Sequence, residues 1–110
     1  MTYRAPVADI AFALKHAAGL KAALNEGLYG DLDEATVDSV LEEAGKFAAE
    51  IAFPLNQIGD AQGCTLDPTT HEVKAPAGFK EAYARYVEGG WPALSCDPAY
   101  GGQGLPLVLN

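Results

Sequence analysis

What this chain has little of narrows its chemistry first. Basic residues are scarce: seven Lys and Arg stand against fifteen Asp and Glu, for a net charge of −8. Neutralising nucleic-acid phosphates takes Lys and Arg, so no nucleic-acid partner is expected. The same deficit argues against docking on an anionic membrane. Only two cysteines occur, Cys64 and Cys96, and neither belongs to a CxxC pair. Two are too few for a disulfide scaffold, and they read as free thiols in a reducing cytoplasm. The two histidines, His16 and His71, stand at ligand spacing from neither cysteine. With no HExxH and no mixed ligand cluster, no metal site is expected. No run approaches the ~20 uncharged apolar residues that span a bilayer. Pro6, Asp9 and Lys15 interrupt the apolar stretch that a secretory leader would need. The chain therefore reads as cytoplasmic, without membrane insertion.

What is present is a globular composition, 49% hydrophobic and 20% charged. A length of 110 residues suits one domain. Residues 1–8 read as extended, and a helix is expected from about Asp9, which can cap it or charge its first turn. Ile10, Leu14, Ala17 and Leu24 form its stripe, with Phe12 and Leu20 off it. Gly19 is expected to break this helix, which ends by Gly27. The strongest helical signal follows Asp31 and Asp33. Val37, Val40, Leu41, Ala44, Phe47, Ala48 and Ile51 recur at helical spacing. Glu42 and Lys46 are placed to pair outward, and Pro54 should kink or restart the helix.

Cys64–Leu66 and Glu72–Lys74 read as two short strands around an Asp67–Thr70 turn, a hairpin expected to lean on the helices. A further helix carries Phe79, Ala82, Tyr83, Tyr86 and Val87 on one stripe, read as core with wet hydroxyls. Glu81 and Arg85 are spaced to pair across one of its turns. Gly89 and Gly90 stop it. The fold expected is mainly α: a small helical bundle with a short β-hairpin and a Gly/Pro-rich C-terminal segment.

That segment, GGWPALSCDPAYGGQGLP from Gly89 to Pro106, invites comparison with phosphate loops. A dinucleotide fingerprint needs a buried strand before its glycines and an opening helix after them. Here Asp97-Pro98 precedes Gly101-Gly102-Gln103-Gly104, and six residues follow. The motif is absent, as is a phosphate loop with a following Lys-Ser/Thr. Ser95 has no oriented histidine partner and reads as a turn serine. Glu42, Glu43 and Glu50 fall on an outward helix face. No catalytic residue is assigned.

The same segment resembles the N-terminal domain of flavin-dependent acyl-CoA dehydrogenases. Gly89-Gly90-Trp91 closes a helix as in that family, and Pro98-Ala99-Tyr100-Gly101-Gly102-Gln103-Gly104 matches its Pro-x-x-Tyr-Gly-Gly-x-Gly turn. Pro54-Leu55-Asn56, Gly59-Asp60 and Gly63 are similar too. Tyr3–Pro6 and Gly59–Cys64 look closest to the methylthiopropanoyl-CoA dehydrogenase-like branch. Cys96 and Ala99 depart from the usual residues. The resemblance implies that residues 1–110 are an N-terminal helical domain of a longer chain. The flavin-binding β-domain, the C-terminal helical domain and the carboxylate base lie outside it. The full enzyme would oxidise an acyl-CoA to the 2,3-enoyl-CoA, with the α-proton going to the base and the β-hydride to FAD. It implies acyl-CoA as substrate, electron-transfer flavoprotein or a similar acceptor as partner, and a homo-oligomer. FAD is expected in the full-length protein and not on this chain alone. Tyr100, Gly101, Gly102 and Gln103 are the residues implied to lie near the substrate. The competing expectation is a free-standing helical binding or oligomerisation module without activity.

Overall fold

The computed structural model describes residues 2–110. Five α-helices run in the order α1 (Val7–Phe12), α2 (Leu20–Asn25), α3 (Glu34–Phe47), α4 (Phe53–Gln62) and α5 (Phe79–Glu88). An antiparallel hairpin, β1 (Thr65–Leu66) and β2 (Val73–Lys74), separates α4 from α5, and three short 3-10 turns follow α5. The fold is mainly α, as the periodicities indicate.

α1 starts two residues before the expected Asp9, with Pro6 at its N-cap, and Asp9 supplies negative charge in the first turn. It continues into a π turn, Ala13–Ala17, closed by the Ala18 amide donating to the Ala13 carbonyl. Gly19 then enters the left-handed region at φ 75° and α2 begins. The wider turn and the break together rotate the apolar phase. Leu20, off the expected stripe, is consequently 2% exposed, whereas Ile10, on it, is 41% exposed.

α3 begins at Asp33, whose carboxylate accepts from the Thr36 amide at 2.8 Å and the Thr36 hydroxyl at 2.7 Å. These bonds, the hydroxyl's first, hold the Asp33 carboxyl below its ordinary range. Val37 is fully buried. The first turns of α1 cross α3 at Gly45, where a Cβ would stand 2.8 Å from Val7 Cγ2. Lys15 ties the two stretches again, donating to Asp38 at 2.6 Å. On the outer face Lys46 pairs with Glu43 at 2.5 Å rather than with the expected Glu42, and Glu43 raises its pKa.

Before Pro54 the helix widens into a second π turn, Ala48–Ala52, and the Phe53 amide donates to Ala48. A proline ring collides with the carbonyl four residues back. The wider turn relieves that collision, and α4 restarts with Pro54 in its first turn. α5 meets α4 at Gly59, where a Cβ would sit 2.9 Å from the Phe79 ring.

The hairpin pairs Thr65 with Lys74 and Leu66 with Val73. Asp67 closes its turn by accepting from the Thr70 and Thr69 amides, which depress its pKa. The hairpin does not lean on the helices as expected. Leu66 and Val73 stay 63% and 67% exposed. Just past the hairpin the chain is tied down: Pro76 is buried, and the Ala77 amide donates to Gln62 Oε1 at 3.0 Å. Two strands of two residues present too little apolar area to hold a packed position.

The α5 stripe also departs from expectation. Tyr83 is 68% exposed and Val87 49% exposed, so they are not core. Glu81 and Arg85 form no ion pair among the described residues. The chain is drawn out: its radius of gyration is 17.6 Å, against ~13 Å for a compact domain of this length.

Candidate functional site

The Gly/Pro-rich segment owes its form to its own backbone. α5 stops at Gly89, and Gly90 takes a left-handed φ of 78°. A 3-10 turn, Trp91–Ala93, leads into buried Leu94. Asp97 opens a second 3-10 turn, Pro98–Tyr100, accepting from the Ala99 amide at 2.8 Å. Gly101 reverses the chain at φ 89°. The returning segment lies back along residues 93–97. The Gln103 amide donates to Ala93 at 3.0 Å, Gly104 to Cys96 at 3.0 Å and Leu105 to Leu94 at 2.8 Å. Buried Pro106 follows, and Asn110 Nδ2 donates to Ser95 Oγ at 2.6 Å.

The four residues picked out from the sequence have different surroundings. Tyr100 projects outward and is 90% exposed. Gly101 supplies the reversal, and a Cβ there would meet open space. Gly102 packs against the Cys96 carbonyl so closely that any Cβ would collide with backbone. Gln103 turns back into the loop and donates from Nε2 to the Gly90 carbonyl at 3.2 Å. The fold thus joins Gln103 to the helix stop thirteen residues earlier. Of the four, Tyr100 is the one whose side chain projects clear of the loop.

Sequence reasoning overlooked Asp97 and Asn110 as organisers of this loop. Asp97 was findable, since an Asp before Pro favours a turn closed by its carboxylate. Asn110 was not, because its partner is fifteen residues away. Also overlooked was an open groove of about 530 Å³ where Tyr3–Asp9 crosses Glu42, Lys46 and Glu50. Gly45 signals that crossing, as glycine inside a helical pattern marks close approach.

The chemistry within reach is modest. Cys64, Cys96, His16 and His71 are all exposed. Among the described residues no three His, Cys, Asp or Glu side chains cluster as metal ligands, and no helix is long and apolar enough to cross a membrane. Cys96 fills the space beside Gly102, and Pro98 fills that beside Gly104. The turn can present an aromatic ring with a polar tip on a stiff backbone.

No protein-family model matches the chain. It is 38% identical over 110 residues to 3-methylmercaptopropionyl-CoA dehydrogenase of Ruegeria pomeroyi, covering all of this chain and 18% of that protein. It is 33% identical over 107 residues to the broad-specificity linear acyl-CoA dehydrogenase FadE5 of Mycobacterium tuberculosis, covering 97% of this chain and 18% of that protein. The chain thus spans about a fifth of the length of the relatives it matches. With homologues of one kind along its whole length, the chain belongs to the acyl-CoA dehydrogenase family.

Proposed function

We propose that these residues are the N-terminal domain of a longer FAD-dependent acyl-CoA dehydrogenase, and that the Asp97–Gly104 turn forms part of the wall of its acyl pocket. One observation carries the second half of this reading. Tyr100 is 90% exposed on a backbone held by Asp97, Gly101 and Gly102. A rigid loop presenting one bare aromatic ring is suited to cover an acyl chain.

The roles within the turn differ. Tyr100 touches the substrate. Gly101 and Gly102 let the backbone reverse and close behind it, and Gln103 anchors the return to Gly90. The flavin and the catalytic base lie outside these residues, so this stretch has no activity of its own. FAD supplies the redox chemistry in the whole enzyme. Its substrate is an acyl-CoA thioester, in keeping with both relatives' names. Its redox partner is an electron-transfer flavoprotein or similar acceptor. It works as a homo-oligomer in the cytoplasm.

The test is steady-state kinetics of the longer enzyme. Tyr100→Ala should raise KM for acyl-CoA about tenfold with a smaller change in kcat, the mark of lost binding. Tyr100→Phe should keep the wild-type KM. An unchanged KM in Tyr100→Ala would show that the segment merely turns the chain.

A further inference from the structure

The Tyr100 side chain has no neighbour to hold it. It is 90% exposed, and among the described residues no other ring packs on it. Its direction is therefore set by the backbone beneath it. One residue accounts for most of that backbone's closure. Of the four amides from Ala99 to Gly102, three donate to Asp97. Ala99 donates to its carboxylate at 2.8 Å, and Tyr100 and Gly102 donate to its carbonyl at 2.9 and 3.0 Å. The fourth, Gly101, donates to the Pro98 carbonyl at 3.2 Å. Asp97 is itself a fixed point. It sits at φ −63° and ψ 128°, in the extended region that a following proline favours. Its neighbour Cys96 is tied twice, donating to Ala93 at 3.3 Å and accepting from Gly104 at 3.0 Å. Asp97 thus joins the closed base of the loop to its tip. The carboxylate bond is the one that a side-chain substitution removes, since the other two use main chain.

We infer that Asp97 is a positioning residue for acyl-CoA binding: its carboxylate holds the Ala99 amide, and through that backbone fixes the Tyr100 ring in the attitude that meets the acyl chain. This role rests on the proposal that Tyr100 walls the acyl pocket, and Asp97 acts through the ring rather than by touching the substrate. A ring held in advance loses less freedom on binding than one the ligand must order. The carboxylate's part is to accept one hydrogen bond. The side-chain carbonyl of Asn can accept the same bond without the charge.

The experiment is steady-state kinetics of the longer enzyme with Asp97→Ala, Asp97→Asn, Tyr100→Ala and the double variant Asp97→Ala/Tyr100→Ala. Asp97→Ala should raise KM for acyl-CoA about fivefold, the scale of one lost capping bond. Its kcat should stay within about twofold of wild type, as for lost binding. Asp97→Asn should restore the wild-type KM. The double variant should match Tyr100→Ala alone, because without the ring Asp97 has nothing to position. Amide exchange separates positioning from collapse of the loop. Tyr100 should exchange faster in Asp97→Ala, while Gly104 and Leu105 keep their protection. Loss of protection at all three would overturn positioning in favour of a loop that has come apart. A wild-type KM in Asp97→Ala beside a raised one in Tyr100→Ala would overturn the role of Asp97 and leave the pocket wall standing. Full additivity in the double variant, or no rescue by Asp97→Asn, would do the same. An unchanged KM in Tyr100→Ala would instead remove the pocket wall itself, and the role of Asp97 with it.

Discussion

α3 and α5 carry the same kind of apolar stripe and meet opposite surroundings. On α3, Val37 is fully buried, with α1 crossing the helix at Gly45 and Lys15 reaching Asp38. On α5, Phe79 is set against α4 at Gly59 and Tyr86 lies beside Phe47 of α3, while Tyr83 and Val87 face solvent. The helix starts differ as well. α3 is capped by the Asp33 side chain, and α5 begins on left-handed Gly78 with no side-chain cap. Periodicity states which side of a helix is apolar. It carries no information about what covers that side.

Three perturbations should sharpen this contrast. The largest effect is expected from Val37→Asp. It places a charge where exposure is nil, and an unpaired buried charge costs several kcal/mol. Circular dichroism should show loss of cooperative unfolding. A variant as stable as wild type would mean that burial of Val37 does not hold the chain together. Tyr83→Glu at the matching position on α5 is expected to leave the 110-residue chain unaffected.

Next comes Gly102→Ala, beyond α5, where order comes from backbone closure. The new Cβ meets the Cys96 carbonyl, which cannot rotate away. Such overpacking costs roughly 1–3 kcal/mol. Amide exchange at Gly104 and Leu105 should accelerate while α3 amides keep their protection. Unaltered exchange at both would refute the closed loop.

The smallest effect concerns the α3 cap. Hydrogen bonds from Thr36 lower the Asp33 pKa in the folded chain. The carboxylate's contribution is therefore complete above its ordinary value of 3.8 and is lost as pH falls through the depressed folded value. Asp33→Ala should lower the melting temperature slightly at neutral pH, and the difference from wild type should shrink in strong acid. A difference that does not vary with pH would show that the cap acts without its charge.

Much of the fold was legible because local rules act through a few neighbouring residues. Asp33 announced the start of α3, Pro54 the restart into α4, and Gly89-Gly90 the end of α5. Asp67–Thr70 announced the hairpin turn. Leu20 was misplaced because a π turn and the Gly19 break shift the helical phase, and neither has a clear compositional mark. The ion pairs Glu42–Lys46 and Glu81–Arg85 were spaced correctly, yet exposed side chains choose among several near-equal partners. At the candidate site the turn residues were readable, but their division of labour was not. Gln103 faces inward and Tyr100 outward only because the returning segment lies along residues 93–97.

By itself, the amino-acid sequence determined the mainly helical character, the stops and turns, and the kinship with acyl-CoA dehydrogenases. Each depends on residue type at short spacing. Tertiary structure alone decided that Val37 on the α3 stripe is buried while Tyr83 and Val87 on the α5 stripe are bare, that the glycine segment closes on itself, and that Tyr100 stands clear of it. Burial and exposure are set by which distant surfaces meet, and a local pattern of apolar residues is the same whether or not a partner arrives.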